Sequence, residues 1–376
     1  MKKIIALIGD YKYKEPIGTA IYSKKFLKAI ESLDLNLDLC ILSLTDIKKP
    51  WFFNKSTLTS EKSNSASFLF YRKLLFSAKT VKQVIIKKPE MILCLEENLS
   101  PLCFLLNYFF RIRYAIFAHD PQSWNGGRLR KSLSNAEWII ANSMKTRQRI
   151  IEQLNIPQGK FFVIHPYVDE KCFYPQEKNN ELIEKYNLKN NKIILTVGRV
   201  DKDGLERKKQ DLVIKAVSMV KKRVSNIKYL IVGPGNQKDF LHNLAKDYGV
   251  KENVIFVGSI PEKDLYEYYN LCDIFVMPSR NEGFGMAYLE ALACGKPVVG
   301  SIGTGAKDSL IDGRLGTLAH PDDINSLAQT IINVLEGNVE PHLINPEYLR
   351  KTVIEHFGFD KFCGKIKNFF QETQML

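Results

Sequence analysis

Two glutamates, Glu282 and Glu290, flank a glycine-bearing turn and the helix predicted to follow it. Gly283 and Gly285 stand in the turn, where a chain needs unusual dihedrals or a close approach of the backbone. Residues 286–294 are rich in helix formers. The free amides at the start of such a helix favour phosphate, and a carboxylate suits the vicinal hydroxyls of a ribose.

Glu290 is the only charged residue between Gly283 and Gly295. A lone carboxylate on an otherwise apolar helix is costly unless it accepts good hydrogen bonds. A diphosphate at the turn, a ribose at Glu290 and a third group near Glu282 would together make a nucleotide-sugar site. The plain alternative is that Glu282 only favours the helix dipole and that Glu290 reaches the surface. That alternative fits each glutamate alone, whereas the whole string favours the nucleotide-sugar site.

The string 276–300 resembles the donor-site signature of retaining GT-B glycosyltransferases of family 4, the glycosyl transferases group 1. The matching residues are Glu282-Gly283-Phe284-Gly285, then Leu289-Glu290-Ala291, and then Gly295-x-Pro297-Val298-Val299. The resemblance implies that Glu282 lies beside the transferred sugar and that Glu290 binds the ribose. It also implies that the donor contacts Gly283, Phe284, Gly285 and Met286.

A basic stretch follows the strand predicted at 192–197. Arg199 stands directly after that strand, and Lys208 and Lys209 end a charged, glycine-bearing loop before a predicted helix at 211–222. Arg and Lys are the usual phosphate donors. The resemblance places the phosphate lysine at Lys208, with Lys209 as its close rival, and the alternative is an exposed basic loop. Because Arg199 and Lys208 could stabilise a departing diphosphate, the resemblance implies an enzyme that needs neither a metal ion nor a cofactor.

Three further positions are candidates through the resemblance. His119 ends the strand predicted at 114–118, and ligands of open α/β sheets bind beyond the carboxyl ends of strands. The family places a histidine near the donor sugar there; a turn histidine is the alternative. Gly18 opens the first helix and could let the backbone approach the diphosphate, or be a plain turn glycine. Ile260 could pack on the nucleotide base or merely anchor its loop.

The composition is that of a globular protein with an anionic partner. The chain has 376 residues, a formal net charge of +13 and a pI near 9.2. Its seven cysteines form no CxxC pair, which predicts reduced thiols and a cytoplasmic protein. Six histidines show no metal-ligand spacing. No run reaches the ~20 apolar residues that a membrane helix needs.

Residues 51–90 mix basic and aromatic side chains. This mixture is a candidate contact with an anionic membrane surface, such as the inner face of the plasma membrane. It is also compatible with stacking on nucleic acid or with an ordinary solvated helix face beside the core. Residues 124–127 are interpreted as an acceptor loop.

Strand-like and helix-like segments alternate, which predicts parallel sheets with helices on both faces. The predicted strands are 4–8, 37–44, 91–95, 114–118, 137–141, 161–164, 192–197, 229–232, 254–257, 274–277 and 297–299. The main predicted helices are 19–32, 80–87, a segment around 102, 143–154, 211–222, 286–294, 322–335 and 347–374. The chain length favours two domains. The first predicted domain comprises residues 1–170 together with the C-terminal helix 352–376, which returns to it. The second comprises residues 171–351. The resemblance implies a GT-B fold: two doubly wound Rossmann-like domains facing a cleft, with the acceptor on the first and the nucleotide-sugar on the second.

The expected activity is transfer of a sugar from a UDP- or GDP-sugar to a hydroxyl of a glycan or lipid-linked acceptor, with retained anomeric configuration. A nucleotide-sugar epimerase of the same architecture is an alternative, although no acid–base pair for it is evident. A nucleic-acid-binding protein is suggested by charge alone and has no recognition motif in support.

Overall fold

The computed structural model describes residues 1–9, 18–44, 66–119 and 127–376. The chain forms two compact units. Unit 1 contains Met1–Asn142, Thr146–Ile164 and Cys363–Leu376, and unit 2 contains Ser143–Lys145 and His165–Phe362. The domain limits at 170 and 352 stay predictions.

Unit 1 is built on a six-stranded parallel sheet in the order β2-β1-β3-β4-β5-β6. Its strands are β1 (Lys2–Ile8), β2 (Leu37–Ser43), β3 (Met91–Cys94), β4 (Arg113–Ala118), β5 (Trp138–Ala141) and β6 (Phe161–Val163). Its helices are α1 (Gly18–Ser32), α2 (Ala66–Lys87), α3 (Ser100–Phe110), α4 (Gly127–Asn135) and α5 (Met144–Leu154), followed much later in the chain by the end of α15 (Phe359–Glu372).

Both faces of this sheet are covered, which is why its strands are continuous apolar runs. Tyr114 and Ile116 of β4 share one core cluster with buried residues of α2, α3, α4 and α5. Phe117 points the other way, because successive side chains of a strand alternate. Its ring packs edge-on against Phe26 of α1 at 4.5 Å between centroids.

The C-terminal helix joins unit 1, as predicted. Phe369 of α15 is fully buried, and its ring meets those of Phe162 at 4.9 Å and Trp138 at 6.4 Å. These edge-on ring contacts hold the end of the chain against the last two strands of the sheet.

Unit 2 is built on a second six-stranded parallel sheet, in the order β12-β11-β10-β7-β8-β9. Its strands are β7 (Lys192–Val197), β8 (Ile227–Val232), β9 (Val254–Gly258), β10 (Ile274–Val276), β11 (Val298–Ser301) and β12 (Thr317–Ala319). Its helices are α6 (Asn180–Lys185), α7 (Lys202–Lys208), α8 (Gln210–Arg223), α9 (Lys238–Asp247), α10 (Leu265–Leu271), α11 (Met286–Ala293), α12 (Ala306–Ser309), α13 (Ile324–Glu336) and α14 (Pro346–Phe357).

The prediction of two Rossmann-like units of the GT-B type is confirmed, and the predicted strands agree with the observed ones to within a few residues. Several helices differ from expectation. The predicted helix 347–374 is two helices, α14 and α15, and α6, α10 and α12 were not predicted. α2 is much longer than the predicted 80–87, α4 was not predicted, and α7 occupies the segment interpreted as a charged loop.

Of the predicted membrane segment 51–90, residues 51–65 lie outside the described residues, and α2 accounts for most of the rest. Of the predicted acceptor loop 124–127, only Gly127 is among the described residues. Within the described ranges, no helix combines the length and apolarity needed to cross a membrane.

Candidate active site

The candidate site lies where the strand order of unit 2 reverses. β7 and β10 are neighbours, yet the chain leaves β7 towards β8 on one side and leaves β10 towards β11 on the other. In open α/β sheets, the crevice at such a switch point, beyond the carboxyl ends of the strands, is the preferred place for a ligand. Arg199 and Lys208 follow β7, and Glu282 and Glu290 follow β10. The topology therefore brings the four predicted charged residues to one edge of the sheet.

Lys208 and Glu282 form an ion pair at this edge. The Lys208 Nζ donates to Glu282 Oε2 at 2.5 Å, and the two side chains are only 23% and 11% exposed. The aliphatic part of Lys208 passes over Gly198, where an added Cβ would lie 3.1 Å from Lys208 Cγ. A larger residue at position 198 would therefore crowd the lysine out of its path.

Lys208 also sets the charge of Glu282. Burial alone would raise the pKa of this carboxyl, because desolvation disfavours the charged form. The adjacent Lys208 ammonium outweighs burial, with help from the charge of Arg207 and the Ser279 hydroxyl, and the pKa of Glu282 is lowered. Glu282 is therefore a carboxylate at neutral pH.

Arg199 lies at the end of β7 and is engaged by two aspartates. Its guanidinium donates to Asp201 Oδ2 at 2.9 Å and to Asp203 Oδ2. Asp201 also begins α7, since its Oδ1 accepts the Gly204 amide at 2.6 Å. The charged loop expected after β7 is thus a capped helix, and its first turn holds Arg199 in place.

The loops of the site pack backbone against backbone, and this packing requires glycine. An added Cβ at Gly204 would lie 2.3 Å from the Arg199 carbonyl oxygen, and one at Gly233 would lie 2.0 Å from the Gly198 oxygen. On the other side, an added Cβ at Gly305 would lie 2.1 Å from the carbonyl oxygen of Gly283. The Gly305 amide donates to the Glu282 carbonyl at 2.8 Å and so ties this loop to the turn that carries Glu282.

The predicted turn and helix after β10 are present. Gly285 has φ of 92° and stands at the N-cap of α11, and Met286, partly buried, is the first residue of the helix. A side chain at position 285 would also strike the Tyr288 ring, at 2.4 Å. Glycine is required here on both counts, conformation and space.

Phe284 was predicted to contact the donor, but its ring belongs to the core of unit 2. It is 2% exposed and stacks on His165 at 5.2 Å between ring centroids, while Phe357 meets it edge-on at 5.5 Å. His165, to which the sequence assigned no chemistry, is therefore a packing partner of the turn. Phe284 can face a donor only through its backbone.

Glu290 lies in the middle of α11 and is hydrogen-bonded. The hydroxyl of Tyr269, in α10, donates to Glu290 Oε2 at 2.7 Å. Burial is the largest cause of the strongly raised pKa of Tyr269, and the Glu290 carboxylate adds to it. The phenol is therefore a permanent donor that fixes one oxygen of Glu290, whereas the plain alternative of a glutamate escaping to the surface does not fit a carboxylate bound to a buried tyrosine.

Lys209 and Ile260 stand apart from the Lys208–Glu282 pair. Lys209 adopts a left-handed conformation, with φ of 61°, where α7 ends and α8 begins. The pKa of Asp322 is lowered mainly by its hydrogen bond from Arg280, and the charge of Lys209 contributes. Of the two lysines, Lys208 is thus the one that meets Glu282. Ile260 follows β9, at the edge of the sheet, and is partly buried against the core.

The remaining predicted residues belong to unit 1. Gly18 is exposed and is the first residue of α1. His119 is 6% exposed, and its Nε2 lies 3.1 Å from the carbonyl oxygen of Leu95. Since a carbonyl only accepts, this nitrogen carries the proton. The His119 amide donates to Glu97 Oε1 at 2.5 Å, so Glu97 orders the end of β4.

Three supporting residues, Tyr269, Asp201 and Gly305, were not among the residues predicted from the sequence. Each supports a predicted residue from another segment: Tyr269 binds Glu290, Asp201 binds Arg199, and Gly305 binds the turn of Glu282. Asp201 alone had a usable signal, because an aspartate three residues before a glycine in a polar run is compatible with a helix cap.

The arrangement suits an anionic ligand with hydroxyl groups. Lys208 is paired with the Glu282 carboxylate at the switch point, and Arg199, held by Asp201 and Asp203, follows β7 at the same edge of the sheet. A second carboxylate, Glu290, lies on the helix that follows the turn of Glu282. The cations can stabilise negative charge on phosphate oxygens, and the carboxylates can accept hydrogen bonds from hydroxyls.

Comparison with known proteins agrees with this chemistry. Residues 178–352 match the family model "Glycosyl transferases group 1". A GDP-mannose-dependent alpha-(1-6)-phosphatidylinositol monomannoside mannosyltransferase of Mycolicibacterium smegmatis is 31% identical over 55% of this chain and 55% of its own length. A D-inositol 3-phosphate glycosyltransferase of the same organism is 28% identical over 60% of this chain and 49% of its own length. The chain thus matches about half the length of these curated relatives.

Solved structures show the same fold over the whole chain. Sucrose-phosphate synthase from Thermosynechococcus elongatus superposes with a TM-score of 0.77 at 19% identity and covers 100% of both chains. HepE from Anabaena, in complex with UDP and glucose, gives 0.76 at 18% identity and covers 99% of this chain and 100% of its own. The chain therefore has the GT-B fold, and its residues 178–352 match the glycosyl transferases group 1 model.

Proposed function

We propose that the protein is a retaining glycosyltransferase that moves a sugar from a UDP- or GDP-sugar to a hydroxyl of a glycan or lipid-linked acceptor. The observation that carries the proposal is the ion pair between Lys208 and Glu282 at the switch point of unit 2. It stands within a segment that matches a glycosyltransferase family model.

In the proposed reaction, the bond between the anomeric carbon and the diphosphate breaks, and a bond to the acceptor oxygen forms on the same face. The acceptor hydroxyl gives up its proton, which leaves with the diphosphate. Negative charge grows on the departing diphosphate. Arg199 and Lys208 stabilise it, and the amides at the start of α11 approach it from the turn Gly283–Gly285. Glu282 orients the sugar, Glu290 binds the ribose, and His119 lies near the sugar.

The identity of the donor base rests on relatives alone. One relative is named as GDP-mannose-dependent, and a structural neighbour is titled as a complex with UDP and glucose. Both UDP- and GDP-sugars therefore enter the proposal. One relative is also named for action on a phosphatidylinositol monomannoside, which supports a lipid-linked acceptor in the proposal.

We further propose that transfer needs no metal ion, and that the enzyme works in the cytoplasm, where nucleotide-sugars and an inner membrane face would be available to it.

Thermal melting with UDP, GDP and ADP tests the donor site, because a ligand that binds only the folded state raises the melting temperature. One nucleotide should stabilise the protein clearly more than the other two. The UDP- or GDP-sugars of the preferred base are then offered without acceptor, and slow hydrolysis is followed by NMR, where the first sugar released should carry the donor's anomeric configuration. Conversion of the intact donor into its epimer would instead identify an epimerase, and absence of both nucleotide stabilisation and hydrolysis would contradict the proposal.

A further inference from the structure

Helix α3 of unit 1 has an apolar outer face. Its inner face is formed by Cys103 and Leu106, both buried in the core cluster beneath. On the outside, Leu105 is 50% exposed, Tyr108 66% and Phe109 70%. Their spacing of three and four residues places these side chains together on one side of the helix. A surface helix normally carries polar residues there, so this face departs from the pattern of a solvated helix.

The two aromatic side chains form a unit. The rings of Tyr108 and Phe109 meet edge-on, with 5.2 Å between their centroids. Phe110, the last residue of the helix, is also 41% exposed. Large apolar side chains grouped on a surface mark an interaction site, whereas single exposed ones need no explanation.

The border of this face is positively charged. The neighbouring helix α4 exposes Arg128 and Lys131, and the Lys131 ammonium lies 5.1 Å from the ring centroid of Phe104 in α3. Arg111 follows the last turn of α3 and is exposed. Neither helix contains an aspartate or glutamate. The face thus combines exposed aromatic side chains with positive charges, and no acidic side chain of α3 or α4 offsets them.

We infer that the α3–α4 face binds the surface of an anionic lipid membrane. The 11 residues of α3 rise about 16 Å, roughly half the thickness of a hydrocarbon core, so the helix would lie in the interface. Tyr and Phe side chains would enter the boundary between headgroups and acyl chains, and the cations would meet lipid phosphates. A two-fold contact with a second copy fits less well, because it would bring the same cations against each other.

The inference rests on unit 1 alone and does not require the proposed transfer reaction. It also selects a surface other than the 51–90 segment that the sequence suggested. A membrane-bound face on the acceptor-side unit would bring the enzyme to lipid-linked hydroxyls.

Flotation with vesicles tests the inference without any nucleotide. The full chain is mixed with vesicles of phosphatidylcholine, or of phosphatidylcholine with phosphatidylglycerol, at low and at high salt. We expect flotation with the anionic vesicles that weakens at high salt. The double variant Tyr108→Ser/Phe109→Ser should bind roughly tenfold less or weaker still, since two aromatic side chains lose their burial in lipid. Arg111→Glu/Arg128→Glu should remove most of the salt-sensitive part.

Phe240→Ser is the matched control, because Phe240 is 53% exposed on α9 of unit 2. It should float with anionic vesicles as the wild type does.

The variant Tyr108→Trp supplies a direct readout, because tryptophan emission should shift to shorter wavelength when the side chain enters anionic vesicles. Wild-type protein that stays unbound at low salt would overturn the inference, as would equal flotation of Tyr108→Ser/Phe109→Ser. Light scattering completes the test: if that double variant only converts a dimer to a monomer, the face is a self-association surface and the inference is wrong. Nucleotide-induced stabilisation should be the same in all variants, which separates this result from that of the donor site.

Discussion

Lys208 and Glu282 are 74 residues apart in the chain, yet their charged atoms lie 2.5 Å apart at the edge of one sheet. The pair joins the segment after β7 to the segment after β10, and a backbone bond from the Arg280 amide to the Arg207 carbonyl, at 2.7 Å, joins the same two segments. The cation proposed to stabilise phosphate is thereby held beside the carboxylate proposed to orient the sugar.

The ion pair between Lys208 and Glu282 should make the free energy of unfolding depend on pH. The pKa of Glu282 is lowered in the folded state, so its contribution to stability is present above the unfolded pKa and is lost as the pH falls through the folded one. In Lys208→Met, burial dominates and Glu282 destabilises the fold at neutral pH instead. We expect a loss of about 1–3 kcal/mol in the free energy of unfolding at pH 7. Denaturant unfolding between pH 7 and acid should show the difference from wild type shrinking as Glu282 protonates; a gap of constant size would contradict the assignment.

We expect substitution of Glu290 to weaken nucleotide binding more than substitution of its partner Tyr269. Glu290→Ala should leave the fold intact and weaken nucleoside diphosphate binding by roughly 1.5–3 kcal/mol, since a charged hydrogen-bond partner is lost. Tyr269→Phe removes only the phenol that fixes Glu290 Oε2 and should cost about 1 kcal/mol. Calorimetric titration with the preferred nucleotide measures both. Unchanged affinity in Glu290→Ala would remove Glu290 from the ribose site.

Arg199 and Glu282 should differ in what they contribute to turnover. Arg199→Ala should lower kcat by ~10²–10³, because its interaction strengthens as charge develops on the diphosphate. Glu282→Gln should lower turnover by ~10²-fold through a misplaced sugar, with nearly unchanged affinity for the bare nucleotide diphosphate. Steady-state transfer or donor hydrolysis is measured beside nucleotide affinity for each variant. Should both variants turn over donor at the wild-type rate, the proposed site is wrong.

Asp203→Asn is the matched comparison for Arg199. Asp203 binds the guanidinium but does not cap α7, whereas Asp201 does both. Weakening the hold of Asp203 should leave the helix in place and lower kcat far less than Arg199→Ala does. A loss as large as that of Arg199→Ala would mean that the aspartate itself acts in the reaction.

The close packing around Gly305 predicts a loss of stability on adding one methyl group. An added Cβ would lie 2.1 Å from the Gly283 oxygen, so Gly305→Ala must displace the turn that carries Glu282. We expect a lower melting temperature together with weaker nucleotide binding. Gly159→Ala is the control, because no atom lies within 4 Å of the added Cβ. Equal melting temperatures for the two variants would contradict the packing argument.

Removal of metal ions tests the chemistry of the leaving group. If Arg199 and Lys208 suffice for the diphosphate, EDTA should leave the rate of donor hydrolysis unchanged. A large loss of rate that returns with added divalent cation would show that a metal shares this task.

Much of the fold was predictable because apolar strand runs alternate with helical segments, and the two sheets follow that alternation. The helix α7 was not, because its sequence from Lys202 to Lys208 is charged and contains a glycine. Its start depends on Asp201, and its end on a lysine in a left-handed conformation where glycine is usual.

That Lys208 and Glu282 meet could be expected for a similar reason: they lie in the segments that follow β7 and β10, and neighbouring parallel strands bring their carboxyl ends together. What the sequence could not supply are the contacts between distant segments. Tyr269 reaches Glu290 from another helix, and the ring of Phe284 turns into the core to stack on His165. Both outcomes depend on packing that no local pattern records.

The backbone around the candidate site is closely packed, and Gly204, Gly233 and Gly305 allow peptide groups to touch directly. In directed evolution of donor preference, positions around the site will therefore differ strongly in the substitutions they tolerate. Libraries that randomise these glycines would be dominated by clones that fail to fold, and would reveal little about selectivity. Diversity placed at positions 260 and 286, candidate donor contacts that are not glycines, leaves this backbone packing untouched, so screens there test base and sugar preference while the scaffold stays constant.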